Sequence, residues 1–219
     1  MREQILNFLA ELKRNNDRDW FMEHKGEYEK AKKAFEALVN EMIPAIREID
    51  PSIDMITAKD CVFRIYRDVR FSKDKSPYKP NMGAYIAKGG KNSIYAGYYI
   101  HAEPGQSFLA GGIWMPPAES LKKIREEIYY NVEEFKNIIH HKNFRKYYEG
   151  FDDEYKLVNP PKGYSKDFPD IDLLKYKSYA VLTSVEDGLF TSGNYVEYAM
   201  EAFKQLHKLN EFLNRAVQS

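Results

Sequence analysis

Between residues 61 and 115 the apolar positions recur at every second residue, and on either side they recur at spacings of three and four. A period of two belongs to strands and a period near 3.6 to helices. The alternation predicts strands over 62–71, 82–88, 94–103 and 107–114, separated by Lys-Ser-Pro, Gly89-Gly90 and Pro104-Gly105. Connections this short favour antiparallel neighbours. The expected class is therefore α+β, with an antiparallel sheet in the middle of the chain packed by N-terminal and C-terminal helices.

The flanks support that class. Ile5, Leu6, Leu9 and Leu12 form one apolar stripe, and Asn15-Asn16-Asp17 offers helix-stop and N-cap chemistry before a short helical turn at Trp20 and Phe21. Phe35, Leu38, Val39, Met42, Ile43 and Ile46 predict a long helix with Pro44 inside it, ended by Asp50-Pro51. Pro116-Pro117 opens a helix through Leu121, Ile124 and Ile128. Val132 to Ile139 predicts a second, and Phe144 to Tyr148 a third. Residues 178–185 read as a last strand, and Ser192 as the N-cap of a terminal helix. With no repeat or linker in view, a single domain over 1–219 is expected.

Composition removes several functions. The 33 Lys and Arg equal the 33 Asp and Glu, so a surface that coats nucleic acid or anionic membrane is not expected. Cys61 is the only cysteine, which excludes an internal disulfide and a cysteine-cluster metal site. Residues 1–16 lack a signal peptide's apolar core, and no stretch approaches the roughly 20 apolar residues of a membrane helix. A cytoplasmic protein is expected. HExxH, CxxC, an EF-hand loop, a G-x-S-x-G elbow and a P-loop are all absent, so neither a metal nor a cofactor is implied. His140 and His141 are adjacent and point about 100° apart on a helix, unlike a zinc pair.

The functional signal is FRIYRDVRFSKDKSPYK, residues 63–79. Read as a strand, it places Phe63, Ile65, Arg67, Val69 and Phe71 on a face turned mostly to the core, where a guanidinium must be paired or escape along the layer. Arg64, Tyr66, Asp68 and Arg70 fall on the other face, as a polar working surface. Arginine presents a planar donor fork that matches phosphate and carboxylate. Lys75 and Lys79 add point charges in the loop. The expected ligand-binding residues are Arg64, Arg67, Arg70, Lys75, Tyr78 and Lys79, and the expected ligand is a small anion. Tyr95, Gly97, Tyr99 and His101 alternate onto one face of a neighbouring strand. Gly111-Gly112 mark a bulge or a close approach to the backbone. For proton transfer, Asp68 and His101 are the nearest candidates. The run also has a purely structural explanation, cross-strand pairing of its charges, and a third one, an interaction module that takes an acidic protein partner. Cys61 reads as a packing residue at the start of the first strand.

The order Asn15-Asn16, Trp20-Phe21, the run 63–79, Gly111-Gly112, Pro116, Leu157 and Pro161-Lys162-Gly163 resembles the bacterial and fungal family called domain of unknown function 2461. The likeness covers nearly the whole chain, with the central run as its most specific part. It implies a single α+β domain and brings no established reaction. It places Arg64, Arg67, Asp68, Arg70, Asp74, Lys75, Pro77, Tyr78 and Lys79 on the family's signature. One departure is Asp167-Phe168-Pro169, where relatives carry Asp-His-Pro. Any role of that histidine is lost here, while Asp167 and Lys175 remain candidates to line the same site.

Overall fold

A computed structural model describes residues 2–218. Four helices come first: α1 (Glu3–Arg14), α2 (Arg18–Glu23), α3 (Lys25–Ile49) and α4 (Ala58–Cys61). Strands β1 (Met82–Ile86), β2 (Gly97–Ala102) and β3 (Ser107–Ile113) follow. Then come α5 (Ala118–Tyr130), α6 (Val132–Ile139), α7 (Lys142–Arg145), α8 (Ile171–Leu174), β4 (Tyr179–Val185), α9 (Asp187–Thr191) and α10 (Tyr195–Gln218). The strands form one antiparallel sheet in the order β1-β2-β3-β4, and the class is α+β.

By its internal packing the chain forms two compact units. The first lies within Met1–Lys91, Tyr99–Leu109 and Ser184–Met200. Its α1 buries Ile5, Leu6, Phe8, Leu9 and Leu12, and the Asp17 carboxylate caps α2 by accepting from the Trp20 amide at 2.9 Å. That bond satisfies one of the orphan donors of the first turn. In α3 the stripe from Ala31 to Ile46 is buried and Pro44 sits inside the helix, which stops at Asp50.

The second unit lies within Asn92–Tyr98, Ala110–Thr183 and Glu201–Ser219. Its organising element is the last part of α10, whose Phe203, Leu206, Leu209, Phe212 and Leu213 are almost wholly buried. Two asparagines one turn apart on that helix substitute for backbone. Asn210, fully buried, accepts from the Gly112 amide at 3.0 Å and donates to the Gly97 carbonyl at 3.1 Å. Asn214 does the same for Ala96, accepting at 2.7 Å and donating at 3.3 Å. Gly111 leaves room for Leu206, and Gly112, at φ +96°, for the carbonyl of Tyr179. The close approach foreseen at Gly111-Gly112 is thus made by the protein's own helix and strand.

Several boundaries shift. The strand expected over 62–71 does not form. Only isolated antiparallel bridges occur there, Val62 with Ala84 and Tyr66 with Tyr78. Cys61 ends a short helix, buried, and does not open a strand. The helix expected at 144–148 lies at Lys142–Arg145. The last helix starts at Tyr195, and Ser192 instead follows α9, its hydroxyl donating to the Leu189 carbonyl at 2.8 Å. No helix among the described residues is long and apolar enough to cross a membrane.

Candidate functional site

The run 63–79 is an irregular hairpin arm held at its base. The Phe63 amide donates to the Gly83 carbonyl at 2.9 Å, Lys79 to Ile65 at 2.8 Å, and Arg67 to Pro77 at 3.0 Å. Asn16 completes the anchorage. Its amide accepts from the Tyr78 N–H at 3.1 Å and donates to the Tyr78 carbonyl at 3.0 Å, imitating a strand neighbour. The Tyr78 ring, buried, stacks on Phe21 with centroids 3.9 Å apart. Because no sheet covers the arm, the alternating faces fail. Ile65 is buried, but Phe63 is open and Phe71 is 97% exposed.

Most charges of the run are satisfied within it. Arg67, half-buried, pairs with Asp74 and reaches the Ser72 hydroxyl at 3.4 Å. The Ser76 hydroxyl and amide, and then Arg67, hold Asp74 well below the usual carboxylate range. Arg70 grips Asp68 through Nε at 2.9 Å and a terminal nitrogen at 2.6 Å, which lowers the Asp68 pKa. The Lys75 ammonium donates to the Val69 carbonyl at 2.9 Å. Two cations remain. Neither Arg64 nor Lys79 makes an ion pair or a side-chain hydrogen bond among the described residues. Lys79 lies 5.8 Å from the centre of the Phe63 ring, and burial, then the Arg64 charge, depresses its pKa.

The odd-numbered face of β2 carries a connected polar chain. The Tyr99 hydroxyl lies 3.0 Å from His101 Nδ1, and His101 Nε2 lies 3.2 Å from a Glu103 oxygen. The other Glu103 oxygen meets Lys13 at 3.2 Å. A carboxylate only accepts, so Nε2–H donates to Glu103, and in the neutral ring Nδ1 accepts from Tyr99. Both ring nitrogens are therefore used, and Phe108 stacks on the imidazole at 4.4 Å. Gly83 makes room for the Tyr99 hydroxyl. Burial and Glu103 push the Tyr99 pKa up to about 12, while burial lowers that of His101 against the opposing pull of Glu103.

That depression has a measurable consequence. Below about pH 6.5 the exposed imidazole of the unfolded chain binds protons that the folded one resists. The stability it contributes is complete above that pH and is lost as pH falls toward the folded pKa. Denaturant unfolding at pH 7.5 and pH 5.0 should show a larger acid loss in wild type than in His101→Gln. Equal losses would place the imidazole outside this balance.

The family model described as a conserved hypothetical protein, DUF2461, matches residues 4–212. The chain belongs to this family. No curated protein and no solved structure matches it.

In this DUF2461 member the later signature residues lie in the second unit. Pro161 is buried, Lys162 is exposed, and Gly163 takes φ +96°. Phe168 packs its ring 4.8 Å from Tyr129. Asp167 meets the Ser165 hydroxyl at 3.4 Å, and Lys175 pairs with Asp172 at 2.8 Å. Among the described residues no group of three or more His, Cys, Asp or Glu is placed to hold a metal ion.

Three elements of the arm and its neighbours escaped sequence reasoning. Glu103 follows Tyr99 and His101 at the same spacing of two and was there to be read. Asn16 reads as helix-stop chemistry and as one position of the family likeness, neither of which points to its bonds with Tyr78, and Arg18 of α2 carries no signal.

Proposed function

We propose that this protein binds a small phosphate- or carboxylate-bearing ligand through Arg64 and Lys79. One observation carries this reading: in a run whose other arginines are matched to carboxylates, neither of these two cations makes an ion pair or a side-chain hydrogen bond among the described residues, and the Arg64 charge, after burial, depresses the Lys79 pKa. An anion between them would relieve the repulsion, with Arg64 supplying a planar fork and Lys79 a point charge. Arg67, Arg70 and Lys75 then act by shaping the arm, and Tyr78 by anchoring it. Binding without chemistry fits best, because Asp68 is held by Arg70 and His101 has no free nitrogen to offer a substrate.

A thermal-shift screen of phosphorylated and carboxylated metabolites tests this. The expected hit stabilises wild type and Arg70→Ala but loses its effect in Arg64→Ala and Lys79→Ala. A hit that survives both of the latter changes would sink the assignment.

A second reading, an acidic protein partner, is favoured by Phe71, 97% exposed beside Arg70 and Lys73. It predicts that Phe71→Ser abolishes capture of such a partner while leaving small-anion binding untouched.

A further inference from the structure

A pocket of about 320 Å³ opens beside the Tyr66–Tyr78 pair, lined by Arg18, Met22, Tyr66, Arg67, Pro77 and Tyr78 among others. We propose that it is a binding site for an aromatic carboxylate, a flat ring system bearing one negative charge. The proposal does not rest on Arg64 or Lys79, neither of which lines the pocket.

Shape and chemistry both point to a flat ring. The wall is a built aromatic layer: Tyr78 is fixed by its stack on Phe21, and Tyr66 lies 5.4 Å from Tyr78. Two groups on this wall are left to water at a cost, Met22 at 62% and Tyr66 at 51% exposure. A planar ligand laid against them would remove apolar surface from water, and thioether and aromatic faces favour an aromatic ring over an aliphatic one. The volume falls at the small end of ligand pockets, enough for one ring or two fused rings.

The charges select the head group. Arg18 makes no ion pair or side-chain hydrogen bond among the described residues, so its donors are open to the pocket's occupant. Arg67 spends part of its fork on Asp74 and Ser72 and keeps the rest. Against these guanidiniums stand Asp74 and the Asp17 carboxylate that caps α2, whose charge also reaches Tyr78. The formal balance is two positive against two negative. A phosphate dianion is disfavoured there, whereas a single carboxylate matches the one open arginine fork, with ring burial supplying the affinity.

Calorimetry and ligand-observed NMR on the full chain decide it, using 2-naphthoate, 2-naphthol, cyclohexanecarboxylate and phenyl phosphate as probes. Arg18 is exposed and Tyr66 half-exposed, so Arg18→Ala and Tyr66→Ala should fold. The expected result is that 2-naphthoate binds more tightly than the other three. Each of the two substitutions should weaken it about tenfold or more, and Arg64→Ala should leave it unchanged. Four results would overturn the proposal: no binding of 2-naphthoate to wild type, equal binding of 2-naphthol, indifference to both substitutions, or loss in Arg64→Ala. The last would assign the ligand to the cation pair instead, and so keeps the two readings distinct.

Discussion

Gly112→Ala is expected to leave little folded protein. At φ +96° an added Cβ is strained by about 1–2 kcal/mol before any contact is counted. That Cβ would also overlap the carbonyl oxygen of Tyr179 and come within 3.0 Å of the Ala180 Cα. Both obstacles are backbone in the adjoining strand β4, so no side chain can swing aside. Overlap of this kind belongs with the largest single-residue effects, about 4 kcal/mol or more, against a typical total of about 5–15. For a chain of this length that shifts the melting temperature by about 8–16 °C. Circular dichroism melts would show it, with Gly26→Ala as the contrast. Gly26 sits in α3 with nothing within 4 Å of its added Cβ, so that variant should hold or gain stability.

Asn210→Ala should rank second, through a different mechanism. The truncation removes one side chain but two buried hydrogen bonds to backbone, those to the Gly112 N–H and the Gly97 C=O. A lost buried hydrogen bond costs about 0.5–1.5 kcal/mol net, so a loss of about 1–3 kcal/mol is expected, with a small further cavity cost. Asn214→Ala breaks the equivalent pair on Ala96 at a half-buried position where water can replace the amide, and should cost less. Urea unfolding of both variants gives the comparison. Equal losses would mean that the Asn210 bonds are not shielded from solvent as the burial implies.

Both effects explain why some elements were legible from sequence and others were not. Strand β2 reads correctly because it is covered. Tyr98, Ile100 and Ala102 are fully buried while Tyr99 and His101 stay partly open, so alternation reports a real difference in environment. Residues 62–71 alternate almost as well yet are no strand, because the arm forms isolated bridges only and its residues from Tyr66 to Phe71 are open or half-buried on both faces. There the short-range chemistry wins: Asp74 turns back on Ser76, Asp68 on Arg70, and Lys75 on Val69. Such contacts depend on loop geometry that a hydrophobic pattern does not carry. The asparagines failed for a related reason. Asn16, Asn210 and Asn214 each stand in for a missing strand, and an amide that imitates backbone has no spacing signature.

The same geometry narrowed the candidate site. Of the six residues expected to bind an anion, Arg67, Arg70 and Lys75 are bonded within the arm and Tyr78 is anchored by Asn16, while Arg64 and Lys79 make no ion pair or side-chain hydrogen bond among the described residues. The distinction rests on partners and not on residue type, since three arginines of one run play different parts.

Lys79 offers the most direct test. Its ammonium should be titrated by NMR, through the side-chain carbon beside Nζ, with and without inorganic phosphate and in Arg64→Ala. The account predicts a pKa below that of an ordinary lysine, because burial and the Arg64 charge both oppose the proton. It should rise in Arg64→Ala, and rise again in wild type when phosphate is added. A Lys79 that titrates as an ordinary lysine, indifferent to Arg64 and to phosphate, would contradict the claim that these two cations form an unpaired anion site.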